Sequence, residues 1–145
     1  DLAVMQGGRG SVALRNSKCL SADVNAATDP TFQDVMERRN ASFVNYGVVV
    51  TKYTGARGKS GTSDASAEYV AFVRKMLDDS GIIWQTGELG KVDQGGGGTV
   101  AKYISKLNAD VIDVGVPVIS MHAPCEVVSK TDVWAAYKAF LAFFK

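Results

Sequence analysis

The tightest constraint on this chain is a change of hydrophobic period that recurs along it. Gly47 to Tyr53 is a short β-branched run of strand length, and Ile82 to Thr86 is another. Between them Tyr69, Phe72, Val73, Met76 and Leu77 recur at i, i+3, i+4, i+7 and i+8, which places them on one face of a helix. Ser63 or Asp64 is available as its N-cap, and Gly81 as its stop. Lys18 to Val24 and Val111 to Val114 read as two further strands. A second helix is expected from about Val100 to Leu107, with Val100, Tyr103, Ile104 and Leu107 on one face. A third is expected over Thr131 to Phe144, through Trp134, Tyr137, Leu141 and Phe144. Strands alternating with helices predict an α/β layered fold with parallel or mixed strands. The first ~17 residues, with Gly7, Gly8 and Gly10, carry no period and read as a loop.

Composition then narrows the function classes. With 145 residues, 46% of them hydrophobic, the chain fits one compact domain over residues 1–145. Its 16 basic and 15 acidic side chains are not gathered into blocks, which argues against a nucleic-acid or anionic-membrane partner. Cys19 and Cys125 form no C-x-x-C pair and suit a reducing, cytoplasmic setting. No apolar run approaches the ~18 residues that span a bilayer, and Asp1-Leu2-Ala3-Val4 lacks the order of a secretory signal. A chain beginning without methionine is expected to have been processed or cut from something longer.

Three features bear chemistry. The run Gly95 to Gly98 could be a mobile surface connection, or it could bring backbone N–H groups to a ligand carboxylate or carbonyl, with Thr99 capping the helix from Val100. No lysine follows it as in a Walker loop, and Val100 takes the last glycine place of G-x-G-x-x-G, so nucleotide binding is disfavoured. The sole histidine, His122, lies in Ile119-Ser120-Met121-His122-Ala123-Pro124 near an expected strand end, where α/β folds assemble their sites. It is either a hydrogen-bonded structural residue or a metal donor. Asp23 ends the apolar run Leu20-Ser21-Ala22-Asp23-Val24, where a carboxylate must be paired, hydrogen-bonded or bound to metal.

Taken in order, four segments resemble the aspartyl aminopeptidase and aminopeptidase I family of dinuclear zinc exopeptidases. They are Ser21 to Ala26, Lys52-Tyr53-Thr54-Gly55 with Ser63-Asp64-Ala65, Val92 to Thr99, and Ser120 to Pro124. The resemblance runs from about Ser17 to Phe144 and implies a three-layer α/β/α sandwich with a mixed sheet, of which this chain is the C-terminal portion. By resemblance Asp23 binds one zinc and His122 the other, two ions per complete site. Lys52, Gly96, Gly97, Gly98 and Thr99 lie along the pocket for a peptide whose N-terminal residue is removed. The family also implies a homo-oligomer for the full-length enzyme. One departure is visible: Asn25-Ala26-Ala27 stands where the aspartyl branch usually has Ala-His-Ala, which makes neutral N-terminal residues at least as suitable as acidic ones.

The same resemblance exposes what the sequence lacks. Two dications at ~4 Å repel by about 16 kcal/mol at an effective dielectric of ~20, so several carboxylates must offset them. Asp23 and His122 bring one negative charge and no second histidine exists here; Glu88, Asp93 and Glu126 could fill vacancies, but each reads rather as an exposed or capping carboxylate. No catalytic residue is therefore assigned within the chain, and the remaining ligands and the catalytic glutamate are expected in an earlier portion. Two rivals stand beside this reading. A serine hydrolase would use Ser63, Asp113 and His122 in chain order, although Ala65 replaces the second glycine of its nucleophile turn. A catalytically incomplete domain would instead serve assembly or regulation and leave a large apolar surface exposed.

Overall fold

A computed structural model describes residues 1–57 and 60–145. In chain order the elements are α1 (Leu2–Met5), α2 (Gly10–Arg15), β1 (Lys18–Ser21), β2 (Asn25–Ala26), a 3-10 turn (Gln33–Val35), β3 (Val48–Thr51), α3 (Ala67–Asp79), β4 (Trp84–Thr86), α4 (Ala101–Ser105), β5 (Asp110–Gly115), β6 (Pro117–Ile119), β7 (Val127–Val128) and α5 (Lys130–Phe143). The alternation expected from the hydrophobic period is present. The opening segment differs: two short helices form where a loop was expected, both without buried residues.

The main sheet has the order β1-β5-β3-β4 and is mixed. β5 is parallel to β1, pairing Ser21 with Asp113, and antiparallel to β3, pairing Thr51 with Asp113. β4 is parallel to β3. Alternate side chains of a strand point to opposite faces, so each β5 residue serves one of two layers. Val48, Val50, Ile112 and Val114 pack with Tyr69, Val73 and Leu77 of α3 and with Ala135, Ala136 and Ala139 of α5. Each fully buried Val or Leu here contributes roughly 1.5–3 kcal/mol relative to exposure. The opposite face carries the row Ser21, Asp113 and Thr51, all buried. That face is covered by loops: a Cβ on Gly87 would lie 2.9 Å from Ser42 Cβ and from Val49 Cγ1.

Several local expectations are corrected by long-range contacts. The α3 N-cap is Ser66, whose Oγ accepts from Tyr69 N–H at 3.2 Å, whereas Ser63 is buried and Asp64 bridges to Tyr53. Thr99 does not cap α4: Val100 holds the N-cap position without a side-chain bond, and the helix spans only Ala101–Ser105. The face Val100, Tyr103 and Leu107 is exposed rather than buried, as is Trp134, Tyr137, Leu141 and Phe144 on α5. α5 instead buries its small residues, because alanines let the helix axis approach α3 and β3. Its Asp132, 1% exposed, accepts from Asn45 N–H at 2.7 Å and Gly47 N–H at 2.9 Å, and so clamps the loop that leads into β3.

Lys18 to Val24 is not one strand. β1 ends at Ser21, and β2 joins a second sheet of order β2-β6-β7. β6 continues from β5 past Val116 just as β2 continues from β1, so two neighbouring chains leave the main sheet together. Asp23 lies where their pairing is interrupted.

Candidate metal centre and substrate cleft

The interruption is what turns Asp23 outward. Ser21 pairs with Asp113 and Asn25 with Pro117, and between them the Asp23 carbonyl lies over Gly115. Asp23 Oδ1 accepts from Val24 N–H at 2.8 Å, a local bond that orients the carboxylate. Oδ2 has no protein partner among the described residues.

His122 is delivered by the turn after β6. Ala123 N–H closes that turn on Ser120 O at 3.0 Å, and the His122 N–H donates to Glu126 Oε1 at 2.5 Å. Both Ser120 (φ 62) and His122 (φ 66) hold left-handed backbone, a conformation rare for residues with a side chain. Such strain concentrates at functional sites, where the surroundings must hold it. Neither ring nitrogen has a hydrogen-bond partner among the described residues.

Asp23 and His122 line one cleft of ≈ 420 Å³ together with Gly95 to Gly98 and Thr99. The glycine run is anchored by its carbonyls: Gly97 O accepts from Gly55 N–H at 2.7 Å and Gly95 O from Arg57 N–H at 3.4 Å. Among the described residues the N–H groups of Gly96, Gly97 and Gly98 donate to no backbone carbonyl. Gly96 has to be glycine, since its φ is +96° and a Cβ would sit 2.1 Å from Gly55 O. Thr99, though no cap, is buried at the cleft margin, where its hydroxyl donates to Asp113 Oδ2 at 2.7 Å. Burial pushes the Asp113 carboxyl up from its ordinary range; the Ser21 and Thr99 hydroxyls pull it back, and the nearby Asp23 charge adds to the rise.

Lys52 lies off this cleft. Its ammonium is hydrogen-bonded to Asp64 and to Ala65 O, the latter at 2.9 Å. Glu126 acts as the capping carboxylate expected of it, on the His122 turn. Among the described residues no three of His, Cys, Asp and Glu gather to hold a metal, so Glu88, Asp93 and Glu126 do not complete a site with Asp23 and His122. The chemistry present is one carboxylate and one imidazole on a shared cleft, both ordinary zinc donors but fewer than the three or four protein ligands of a zinc site. The serine hydrolase arrangement is not assembled: Ser63 is buried, Asp113 is engaged by Thr99, and among the described residues neither bonds His122.

Sequence reasoning missed Gly115 and Asn25, which place Asp23, and Val35, Met36 and Leu89, which form the apolar side of the cleft. Only the small size of Gly115 at the end of a valine-rich run could have signalled the first. Cys19 and Cys125 are free thiols, and among the described residues no helix is long and apolar enough to cross a membrane.

The family described as aminopeptidase I zinc metalloprotease (M18) matches residues 4–144. A probable M18 family aminopeptidase 1 from Clostridium acetobutylicum is 50% identical over 131 residues, which is 90% of this chain and 28% of the relative. The crystal structure of an M18 family aminopeptidase from Thermotoga maritima superposes with a TM-score of 0.92 at 46% identity, covering 98% of this chain and 33% of that one. Vacuolar aminopeptidase 1 of Saccharomyces cerevisiae is 28% identical over 131 residues, 90% of this chain and 24% of the relative. The chain thus spans under a third of the length of the relatives it matches.

Proposed function

The chain belongs to the aminopeptidase I zinc metalloprotease family, and from that premise we propose that it is the C-terminal portion of a catalytic domain that removes N-terminal residues from peptides. The observation that carries this reading is the single cleft lined by Asp23, His122 and Gly96 to Gly98. Asp23 and His122 each donate to one of two zinc ions, and the other ligands and the general-base glutamate come from outside these residues. When bound, zinc would supply Lewis-acid polarisation of the scissile carbonyl. The glycine N–H groups hold a substrate oxygen in place, and Val35, Met36 and Leu89 receive an apolar side chain and exclude water from it.

Neutral N-terminal residues suit this cleft better than acidic ones. Ala26 lines it where the aspartyl branch carries an imidazole, and the Lys52 ammonium is already engaged by Asp64. The free thiols suit a cytoplasmic setting, although the yeast relative is named as vacuolar. The exposed Trp134, Tyr137, Leu141 and Phe144 on α5 support a homo-oligomeric or inter-segment contact in the full-length enzyme, which is also the observation behind an assembly role.

The test is release of N-terminal residues by the longer polypeptide, with zinc content by elemental analysis alongside. His122→Ala or Asp23→Ala should abolish turnover and lower bound zinc. Near-normal turnover in either variant overturns the assignment.

A further inference from the structure

Asp113 is buried at the centre of the main sheet, 5% exposed, on the face that looks toward the cleft. It is the meeting point of two sets of buried polar groups. On one side Thr99 donates to its Oδ2, and Thr99 follows directly on the glycine run. On the other side lies the Asp23 segment: Ser21 pairs with Asp113 across β1 and β5, and Thr51 pairs with it across β3 and β5. Thr51 Oγ1 accepts from Asn25 Nδ2 at 3.0 Å, and Asn25 Oδ1 accepts from Ser42 Oγ at 2.7 Å. Asn25 is two residues past Asp23. Asp113 Oδ1 has no protein partner among the described residues, and a chamber of ≈ 10 Å³, bordered by Asp113, Asn25, Thr51, Thr54 and Thr99, adjoins it.

A buried carboxylate is costly to keep, and an apolar residue at the centre of a valine-rich sheet would stabilise the fold more. Its place here is accounted for by what it holds. Glycines 95 to 98 have no side chains to anchor them, and flexible glycine runs present N–H groups well only when their ends are fixed. Arg57 N–H holds Gly95 O and Gly55 N–H holds Gly97 O, so the run is tied as far as Gly97. Its far end, beyond Gly97, is fixed by Thr99, through a hydroxyl that needs an acceptor at this depth in the fold.

We propose that Asp113 is a positioning residue of the cleft: by holding Thr99 it orders the glycine run and sets its N–H groups in register with the Asp23 strand end. This rests on the aminopeptidase reading for its functional meaning, but the ordering itself does not. Asp113 touches no substrate; it acts through Thr99.

The test uses backbone 15N relaxation on the 145-residue chain. In the wild type, Gly96, Gly97 and Gly98 should show order parameters close to the ~0.85 of rigid backbone, with that of Gly98, next to Thr99, falling below ~0.6 in Thr99→Val. Thr99→Ser, which keeps the hydroxyl, should restore the wild-type values, a rescue that a general packing role for Thr99 would not produce. Asp113→Ala, which removes the acceptor, should loosen the same amide, and the double variant Asp113→Ala with Thr99→Val should be no looser than either alone, since both cut one link. Should Asp113→Ala fail to fold, the Thr99→Val and Thr99→Ser pair decides. Glycine amides as ordered in Thr99→Val as in the wild type overturn the proposal, as does loosening that Thr99→Ser fails to reverse. Turnover and bound zinc of His122→Ala in the longer polypeptide test the aminopeptidase reading, whereas glycine amide order in Thr99→Val tests this one, so the two failures are separate results.

Discussion

The carbonyl oxygen of Asp23 occupies the space that a side chain on Gly115 would need: a Cβ built there falls 1.3 Å from it. The contact is backbone against backbone, so no rotamer change can relieve it. Gly115 is thus the residue that lets the β1 chain turn across the end of β5 and present a carboxylate to the cleft.

Gly115→Ala is expected to displace the Asp23 segment by more than an ångström and to destabilise the chain by about 4 kcal/mol or more, in the range reserved for severe core disruption. Gly97→Ala is the matched control, since nothing lies within 4 Å of its added Cβ and its backbone is not left-handed. Its stability should stay within ~0.5 kcal/mol of wild type. Thermal unfolding of both variants checks this; a Gly115→Ala melt that coincides with the wild type would refute the role given to Gly115.

Asp132→Ala removes the acceptor for Asn45 N–H and Gly47 N–H; the Gly47 donor is left unpaired in a buried position, whereas the Asn45 donor is only part-buried. Charge-assisted bonds of this kind make a loss of roughly 3 kcal/mol the expected result. Asp132→Asn, which keeps one acceptor oxygen, should lose about half as much. Urea titration gives both values, and equal losses for the two variants would mean that packing, not the clamp, is what matters.

Tyr69 donates its hydroxyl to Cys19 O at 2.9 Å, and burial holds its phenol well above its ordinary range, with nearby Cys19 and Asp110 adding to the rise. The sign follows from linkage. Below the phenol's usual value of about 10 it is protonated in both states, and its contribution is complete. As pH rises past that value the unfolded chain releases the proton while the fold resists, so stability falls. Tyr69→Phe should cost about 1 kcal/mol at neutral pH and remove this alkaline decline. Melting temperatures from about pH 9 to pH 11 would show it; parallel curves for the two proteins would place the decline elsewhere.

Much of the architecture is legible in the residue pattern, for a physical reason specific to each element. Tyr69, Val73 and Leu77 are buried at a helical period, and Val48 to Val50 form a strand buried on both faces. On α5 the same logic picks the wrong face. Trp134, Tyr137, Leu141 and Phe144 are the large apolar residues, yet the helix buries alanines and Asp132, because the depth available over β3 favours small side chains and the loop at Asn45 needs an acceptor. Thr99 is similar. Its position before a helix suggests a cap, but Asp113, remote in sequence, takes its hydroxyl.

By itself, the sequence determined the alternation of β1, β3, β4 and β5 with α3, α4 and α5, the family to which the chain belongs, and the residue types able to bind metal. These depend on local period, on steric limits of the backbone and on short motifs, all of which can be read along the chain. Tertiary structure alone decided that Asp23, His122 and Gly95 to Gly98 share one cleft, that Lys52 is engaged away from it, and that Gly115 and Asp113 support it. Those outcomes depend on strand register and on contacts between residues tens of positions apart. Pairing Ser21 with Asp113 and Asn25 with Pro117 is what turns Asp23 outward, and no property of Asp23 or its neighbours encodes that register.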